Sequence, residues 1–497
     1  MDLTVLFFLT SGLLLGWALG ANDAANVFGT AVGTRMVRFG TAAVVCSVFV
    51  VLGAVISGAG AAHTLGALGS VNALAGSFTA ALSAAGTVYV MTKAGLPVST
   101  SQAIVGAIIG WNLFSGSVTD SQTLLKIVAT WVAGPVLAGL IAVPLLTLVA
   151  FALRAAKLHL LRLDAYTRMA LIFAGAFGSY SLGANNIANV MGVFVDVSPF
   201  TGFSVAGLLT LTPIQQLFLI GAIAIAVGVF TYSKRVMVTV GVGILPMSPV
   251  AAWVVVVAHS IVLFLFASQG LEYMLASAGL PTIPLVPVSS SQAVVGAVVG
   301  LGLMRGGRDI DWKVVGNIAG GWVATPLISG IVCFVALFFL QNVFNQQVYR
   351  EVHYVLSEPE LTELGKLGMD TAALKSLKGR EFQSARAFMQ AIDETGYEGP
   401  VSGRTLREYA QIIRINIDSE KFSSLDRDWL SPEQISAIER LEGQDFSHRW
   451  ELAQALAARS PQWSRKDDKT INKIYNKELD RKLGYVSRIF AGFADRR

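Results

Sequence analysis

The sequence predicts an all-α polytopic membrane protein, made of an inverted-topology repeat with interrupted helices and followed by a soluble helical C-terminal domain. Three observations predict this fold class. Of the 497 residues, 54% are hydrophobic and 14% are charged, a balance typical of a chain with many apolar spans. Two motifs each occur twice, in the same order. The charged residues concentrate in the last third of the chain, because residues 1–340 carry 13 basic and 8 acidic residues and residues 341–497 carry 24 of each.

Ten apolar runs predict the membrane segments. They cover approximately residues 3–33, 40–60, 72–92, 97–114, 126–152, 169–195, 203–229, 248–269, 285–303 and 314–340. The runs at 97–114 and 285–303 are short enough to be re-entrant. The first run has no basic flank and no clear cleavage site, which favours a membrane span over a signal peptide.

The basic residues predict the orientation of these runs. If all ten runs cross the bilayer, loops of one parity contain twelve Lys and Arg residues and loops of the other parity contain none. The positive-inside rule places the basic loops in the cytoplasm. We therefore expect a multi-pass protein of the cell inner (plasma) membrane, with the N-terminus and the C-terminal domain outside.

Two duplicated motifs divide the membrane part into halves. GANDAANVFGT at 20–30 recurs as GANNIANVMGV at 183–193, and PVSTSQAIVGAIIG at 97–110 recurs as PVSSSQAVVGAVVG at 287–300. Each half contains five runs, an odd number, so the second copy enters the membrane in the opposite sense. The predicted domains are repeat 1 (1–152), a basic cytoplasmic linker (153–168), repeat 2 (169–340) and the C-terminal domain (341–497). Such repeats place binding sites near the bilayer midplane.

The PVSTSQ and PVSSSQ segments indicate a site for an oxyanion. In each, a proline precedes three hydroxyl residues at the predicted start of a helix. These residues are Ser99, Thr100 and Ser101 in the first copy and Ser289, Ser290 and Ser291 in the second. A helix N-terminus supplies free N–H donors and the positive end of the helix dipole. The alternative is that the hydroxyls only cap a kink or bond a neighbouring helix.

The GAND segment indicates a cation site. Asn22, Asp23 and Asn26 carry oxygen atoms within about one helical turn, and carboxylate and amide oxygens suit a hard cation such as sodium. Gly20 and Gly29 permit helix breaks and close approach. An anion beside Asp23 would be repelled unless a sodium ion or a proton neutralised the carboxylate, so charge balance predicts coupled binding.

Both duplicated motifs resemble the signature of the inorganic phosphate transporter (PiT) family, whose members couple phosphate uptake to sodium or protons. The resemblance covers roughly residues 1–340 and implies a secondary transporter that works by rocking of its halves. It implies that phosphate is held by the six hydroxyl residues together with Asn22 and Asn185. It implies that the coupling cation is bound by Asp23, Asn26, Asn186, Asn189, Gln102 and Gln292, with Asp23, Asn26 and Asn189 as the sodium ligands if sodium is the ion.

Two departures from the family pattern bear on the coupling ion. Asn186 stands where the family usually has a second aspartate, which removes one anionic ligand. Gln102 and Gln292 stand where many members have histidine, which argues against a proton relay there. Sulfate or another tetrahedral oxyanion is the alternative substrate, and an anion channel or a membrane enzyme is the alternative class. We expect no enzymatic activity and no cofactor besides the coupling ion.

His259 and the C-terminal domain complete the predictions. His259 lies in an apolar run, either as a proton carrier or, more commonly for such a residue, as a hydrogen-bonding group between helices. In the C-terminal domain, Ser431, Pro432 and Gly443 predict the limits of one helix, and Phe382, Phe388 and Ile392 follow a helical period. The expected partners are phosphate, the coupling cation and the lipid bilayer, with a homo-oligomer left open and no nucleic acid.

Overall fold

The computed structural model describes residues 3–69, 71–94, 98–198, 200, 203–205, 209–237, 247–369, 371–397, 402–467 and 469–491. Its helices in the membrane part are α1 (Leu3–Gly33), α2 (Phe39–Ser57), α3 (Ala59–Leu68), α4 (Leu74–Lys93), α5 (Thr100–Ser115), α6 (Ser121–Ala156), α7 (Leu160–Met191), α8 (Pro213–Thr231), α9 (Pro249–Leu265), α10 (Gln269–Ser277), α11 (Ser290–Met304) and α12 (Trp312–Asn342). Ten of these helices coincide with the ten predicted runs, although several extend beyond the predicted bounds, and α3 and α10 correspond to no predicted run.

The N-terminal ends of α5 and α11 form as the hydroxyl residues predict. The Ser99 side chain accepts a hydrogen bond from the Gln102 amide, and the Ser289 side chain accepts one from the Gln292 amide, both at 3.3 Å. Such bonds satisfy amides that have no partner within the helix. Pro97, the first residue of the first motif, lies outside the described residues.

Two predicted features differ in the structure. The helices α1 and α7 continue through the GAND and GANN segments without a break, so among the described motif segments the interrupted chain is found only before α5 and α11. The predicted run 203–229 begins with a two-stranded antiparallel sheet, in which β1 (Phe203–Val205) pairs with β2 (Leu209–Leu211). Thr212 then caps α8, and Pro213 takes its first position, where a missing N–H costs nothing.

Length and composition identify fewer membrane spans than ten. In the described part of the chain, six helices are long and apolar enough to cross a bilayer: α1, α2, α4, α6, α8 and α12. A seventh span results if α9 and α10, which meet at an angle of 65°, are one bent span. Since α5 and α11 have only 16 and 15 residues, the ten crossings stay a prediction.

The helices of the two halves are interleaved. Helix α1 of the first half packs on α8 of the second, and their counterparts α7 and α2 pack on each other in the same way. Helix α5 packs on α12, and their counterparts α11 and α6 also form a pair. The reciprocal pairing agrees with a duplicated architecture, while the inversion of the second half stays a prediction.

Glycines allow these helix pairs to touch backbone to backbone. A Cβ atom on Gly20 would lie 1.9 Å from the Ile225 carbonyl oxygen, and one on Gly183 would lie 2.1 Å from that of Val50. The α5 and α11 pairs are built alike, because Gly106 meets the carbonyl oxygen of Pro326 and Gly296 meets that of Pro135. Small residues of this kind permit close packing of helices in a membrane.

The C-terminal part has two hydrophobic cores of its own. Its first lobe contains β3 (Tyr354–Val355), α13 (Glu358–Lys366), β4 (Glu381–Phe382), α14 (Ala385–Glu394) and α15 (Gly403–Ala410), and its second contains β5 (Ile415–Asn416), α16 (Pro432–Glu439), β6 (Asp445–Phe446), α17 (Arg449–Ala457) and α18 (Thr470–Phe490). Helix α16 begins after Ser431 as predicted, and Gly443, with φ of +74°, follows its end. The short strands were not predicted, and Phe382, which the helical period included, lies in β4 before α14 begins at Ala385. The solubility of this part stays a prediction.

The two lobes repeat one local pattern. The sequences LKGREF at 377–382 and LEGQDF at 441–446 each place a glycine with φ of +74° before a short strand. The Gly379 amide donates to the Leu356 carbonyl oxygen and the Gly443 amide to that of Ile417, both at 2.8 Å. This second duplication is too short and too diverged for its hydrophobic period alone to predict it.

The C-terminal part contacts loops of both halves of the membrane part. In the first half, the Arg350 amide donates to the Asn72 side chain, and the Arg386 amide donates to the Gly116 carbonyl oxygen. In the second half, Arg488 pairs with Asp196, and the Lys477 amine lies 2.9 Å from a Glu272 oxygen. These loops all belong to the parity without basic residues, so the C-terminal part lies on their side of the helices.

Candidate functional site

The two duplicated motifs meet in the interior of the helix bundle. The GAND and GANN segments lie in α1 and α7, and the hydroxyl turns, which we define as residues 99–102 and 289–292, begin α5 and α11. The fourteen predicted site residues are all buried, with at most 7% of any of them exposed: Asn22, Asp23, Asn26, Ser99, Thr100, Ser101, Gln102, Asn185, Asn186, Asn189, Ser289, Ser290, Ser291 and Gln292. The structure therefore closes this polar region to solvent.

The hydroxyl turns of the two halves touch each other reciprocally. The Ser101 hydroxyl donates to the Val288 carbonyl oxygen, and the Ser291 hydroxyl donates to the Val98 carbonyl oxygen, both at 3.4 Å. The starts of α5 and α11 consequently face one region. Because each start carries unpaired backbone N–H groups and the positive end of a helix dipole, that region favours an anion.

An asparagine from each half binds the hydroxyl turn of the other half. The Asn26 amide donates to the Ser290 hydroxyl oxygen at 3.1 Å. The Asn189 amide donates to the Ser101 hydroxyl oxygen at 2.7 Å and to Asn186 Oδ1 at 2.8 Å. These bonds join α1 to α11 and α7 to α5, so the site lies between the pair of helices that carry GAND and GANN and the pair that carry the turns.

Asn22 and Asn185 bind the chain that leads into the turns. The Asn22 amide donates to the Val98 carbonyl oxygen at 3.1 Å. The Asn185 amide donates to the Val286 carbonyl oxygen at 3.1 Å, and Asn185 Oδ1 accepts from the Val288 amide at 2.7 Å. In this conformation the two side chains position the turns through backbone groups. Sequence reasoning could not identify the Val98, Val286 and Val288 backbone atoms, because any residue supplies the same groups.

Asp23 is a buried carboxylate for which the described part of the chain offers no ionic partner. Only 2% of the residue is exposed, and its Oδ1 accepts a hydrogen bond from the Asn22 amide at 2.8 Å. Among the described residues no Lys, Arg or His forms an ion pair with it. Hydrogen bonds connect Asp23 to Asn22, Asn22 to the Val98 carbonyl group, and that group to Ser291. The carboxylate is therefore connected to one hydroxyl turn through Asn22 and the Val98 carbonyl group.

Several polar atoms in this region are buried without a partner among the described residues. They are Thr100 Oγ1, Gln102 Oε1, Asn186 Nδ2, Asn189 Oδ1, His259 Nδ1 and Gln292 Oε1. Buried polar atoms are normally hydrogen-bonded, and an unpaired one costs about 1–3 kcal/mol. Four of the six are oxygen atoms, which can bind a cation or accept a hydrogen bond from a ligand.

His259 joins the site from α9. Its Nε2 lies 2.9 Å from the Ser290 hydroxyl oxygen, and the residue is fully buried. The sequence identified this histidine as a buried polar residue but could not identify its partner, because α10 and the irregular segment after it separate α9 from α11 in the chain. Among the described residues no group of three His, Cys, Asp or Glu side chains could hold a metal ion.

Three comparisons identify the relatives of the chain. A family model described as "Phosphate transporter family" matches residues 19–333 and 275–458. A protein of Methanocaldococcus jannaschii named "putative phosphate permease" is 26% identical over 336 residues, covering 67% of this chain and 95% of the relative. Proteins with the same name from Pyrococcus furiosus and Haemophilus influenzae are 24% and 23% identical, covering 69% and 67% of this chain and 98% and 96% of the relatives.

A solved structure shares the fold. The structure titled "The sodium-dependent phosphate transporter" aligns with a TM-score of 0.53 and 24% identity, covering 68% of this chain and all of that one. The chain is thus a mostly helical, multi-pass membrane protein with the fold of that transporter, and by the family match it belongs to the phosphate transporter family.

Proposed function

We propose that the chain is a secondary transporter that carries inorganic phosphate together with a sodium ion or a proton. The observation that carries this proposal is the reciprocal contact of the two hydroxyl turns beside one buried carboxylate. Two helix N-termini and their hydroxyl groups provide donors for the oxygen atoms of phosphate. Asp23 provides the negative charge that a coupling cation neutralises.

Charge balance explains why the anion and the cation bind together. Two like unit charges about 4 Å apart repel by about 4 kcal/mol at an effective dielectric constant of about 20. Phosphate beside an ionised Asp23 would meet a repulsion of this kind, and none of the described Lys or Arg residues pairs with the carboxylate to remove it. A sodium ion bound by Asp23, Asn26 and Asn189, or a proton on Asp23, removes it. Asn189 suits a sodium ion because its Oδ1 has no protein partner in the described part of the chain.

The unpaired oxygen atoms favour phosphate over sulfate. Phosphate keeps a proton near neutral pH and can donate it, whereas sulfate only accepts hydrogen bonds. The side-chain oxygens of Gln102 and Gln292 are buried acceptors without protein partners among the described residues. A site with buried acceptors discriminates against a ligand that cannot donate to them.

Transport requires the site to open to each side in turn. The interleaved packing argues against a motion in which the sequence halves separate as two bodies, because α1 with α8 and α7 with α2 touch through glycines. We therefore propose that the bundle formed by α1, α2, α7 and α8 moves against the pairs α5–α12 and α6–α11. This motion breaks the bonds from Asn26 to Ser290 and from Asn189 to Ser101, which lie between the two groups of helices. It replaces the rocking of whole halves that the duplication alone suggests.

Uptake into liposomes tests the proposal. Radiolabelled phosphate uptake is measured with the purified protein under a sodium gradient and, separately, under a proton gradient, with excess sulfate as competitor. Accumulation above the external concentration under one gradient is the expected result, and it identifies the coupling ion. Equilibration without accumulation would show passive transport that neither ion drives, and accumulation of sulfate at the expense of phosphate would show the alternative substrate; either result overturns the proposal.

A further inference from the structure

Ser290 is the residue at which three helices of the site meet. Ser290 is the first residue of α11. Its hydroxyl oxygen accepts a hydrogen bond from the Asn26 amide of α1 and lies 2.9 Å from His259 Nε2 of α9. The matching residue of the first turn, Thr100, is equally buried, but its hydroxyl has no partner among the described residues. The two hydroxyl turns therefore differ at this position: two side chains contact the Ser290 hydroxyl, whereas none of the described residues hydrogen-bonds to the Thr100 hydroxyl.

The environment of His259 determines which ring nitrogen carries the proton. Nε2 faces the Ser290 hydroxyl, while Nδ1 is buried without a partner among the described residues. In a neutral imidazole one nitrogen is a donor and the other an acceptor. A proton on Nδ1 would be a buried donor with nothing to receive it, whereas a proton on Nε2 is received by Ser290. The geometry therefore favours the tautomer with the proton on Nε2.

The direction of the Ser290 hydroxyl proton follows from this tautomer. A hydroxyl group has two acceptor lone pairs and one donor proton. With the Asn26 amide and His259 Nε2 both donating, the two lone pairs of Ser290 are occupied. Ser290 can then accept no further hydrogen bond, and its own hydroxyl proton is available for donation to a third group in the site.

We propose that His259 is a positioning residue that turns the Ser290 hydroxyl into a fixed donor for an oxygen atom of the transported anion. This inference rests on the proposed function and names a residue that sets the affinity of the same site. The histidine does not contact the anion in this account. It acts through Ser290, and it gives the second turn an orienting group that Thr100 lacks in the described structure.

The first test measures the Michaelis constant for phosphate uptake into liposomes that contain the full chain. We expect His259→Leu to raise this constant by roughly threefold to tenfold, which corresponds to one hydrogen bond, with less change in the maximal rate. We expect His259→Gln, which keeps an N–H donor at a similar distance, to restore much of the affinity. Equal losses in the Leu and Gln variants would overturn the donor role.

A double substitution separates positioning from packing. If His259 acts through the Ser290 hydroxyl, His259→Leu should change the Michaelis constant little when Ser290→Ala is already present. An undiminished effect in that background would show that the histidine acts elsewhere and would overturn the inference. Thermal unfolding of each variant in detergent identifies any that is simply unstable. For a variant that is unstable, the same cycle is run with His259→Asn.

The same set of variants distinguishes this inference from the proposed function. If Ser290→Ala raises the Michaelis constant and His259→Leu does not, only the role of His259 is wrong. If neither Ser290→Ala nor Ser291→Ala changes it, the second hydroxyl turn does not bind phosphate, and the site assignment fails together with the inference.

Discussion

The two halves of the site form equivalent hydrogen bonds but differ in charge. Asn26 reaches the turn of the second half, and Asn189 reaches the turn of the first. The carboxylate occurs on one side only, as Asp23, and its counterpart is Asn186. The shared bonds join α1, α5, α7 and α11 in the site, whereas we propose that the single carboxylate makes the site require a cation. Substitutions that make the halves alike, or that disturb one and not the other, test this comparison.

The largest effect is expected from Asp23→Asn, which gives the first half the GANN sequence of the second. The variant loses the only ionised group that we assign to the coupling cation, while an amide of the same shape keeps the packing. We expect uphill phosphate accumulation in liposomes to be abolished and the unfolding temperature to be retained. Wild-type accumulation would refute the role of Asp23.

Gly20→Ala and Gly183→Ala test whether the halves are equal in their packing. Each added Cβ meets a carbonyl oxygen of the partner helix at about 2 Å, and overpacking of this kind costs about 1–3 kcal/mol or more. We expect both variants to lower the unfolding temperature in detergent, and to similar extents. Gly86→Ala is the matched control, because its Cβ would meet no atom within 4 Å. A lowered unfolding temperature in only one of the two variants would contradict the reciprocal packing.

Ser101→Ala and Ser291→Ala test the two hydroxyl turns. Each removes a hydroxyl donor near the proposed anion, and a hydrogen bond to a charged group contributes about 1.5–3 kcal/mol. We expect the Michaelis constant for phosphate to rise roughly tenfold to a hundredfold in each variant, with little change in the unfolding temperature. Unchanged constants in both would exclude the helix N-termini as the anion site.

The smallest effect concerns the C-terminal part, which contacts both halves. Lys477→Ala removes the ion pair with Glu272, in which the lysine side chain is 36% exposed. Exposed ion pairs contribute less than about 1 kcal/mol. We therefore expect a barely lowered unfolding temperature and unchanged phosphate affinity. A strong effect on transport would show that the C-terminal part controls the relative motion of the helices.

The sequence predicted the helices and the participants of the site for identifiable reasons. The apolar runs predicted ten of the twelve described helices of the membrane part, all except α3 and α10. The duplication of Asn26 as Asn189 and of Ser101 as Ser291 identified the residues that meet. Three features could not be predicted from the sequence. Glycines favour breaks and close contacts alike, so Gly20 could not show that α1 continues. The partners at Val98 and Val288 are backbone atoms. The bond between His259 and Ser290 depends on the packing of α9 against α11, which no local pattern encodes.

The central claim is that phosphate binds beside Asp23 only when a cation neutralises the carboxylate. The most direct measurement is the phosphate affinity of the purified protein at increasing sodium concentration and, separately, at decreasing pH, for the wild type and for Asp23→Asn. We predict that the affinity of the wild type increases along one of the two series and that the affinity of Asp23→Asn does not depend on that ion. The same cation dependence in both proteins, or none in the wild type, would contradict the claim.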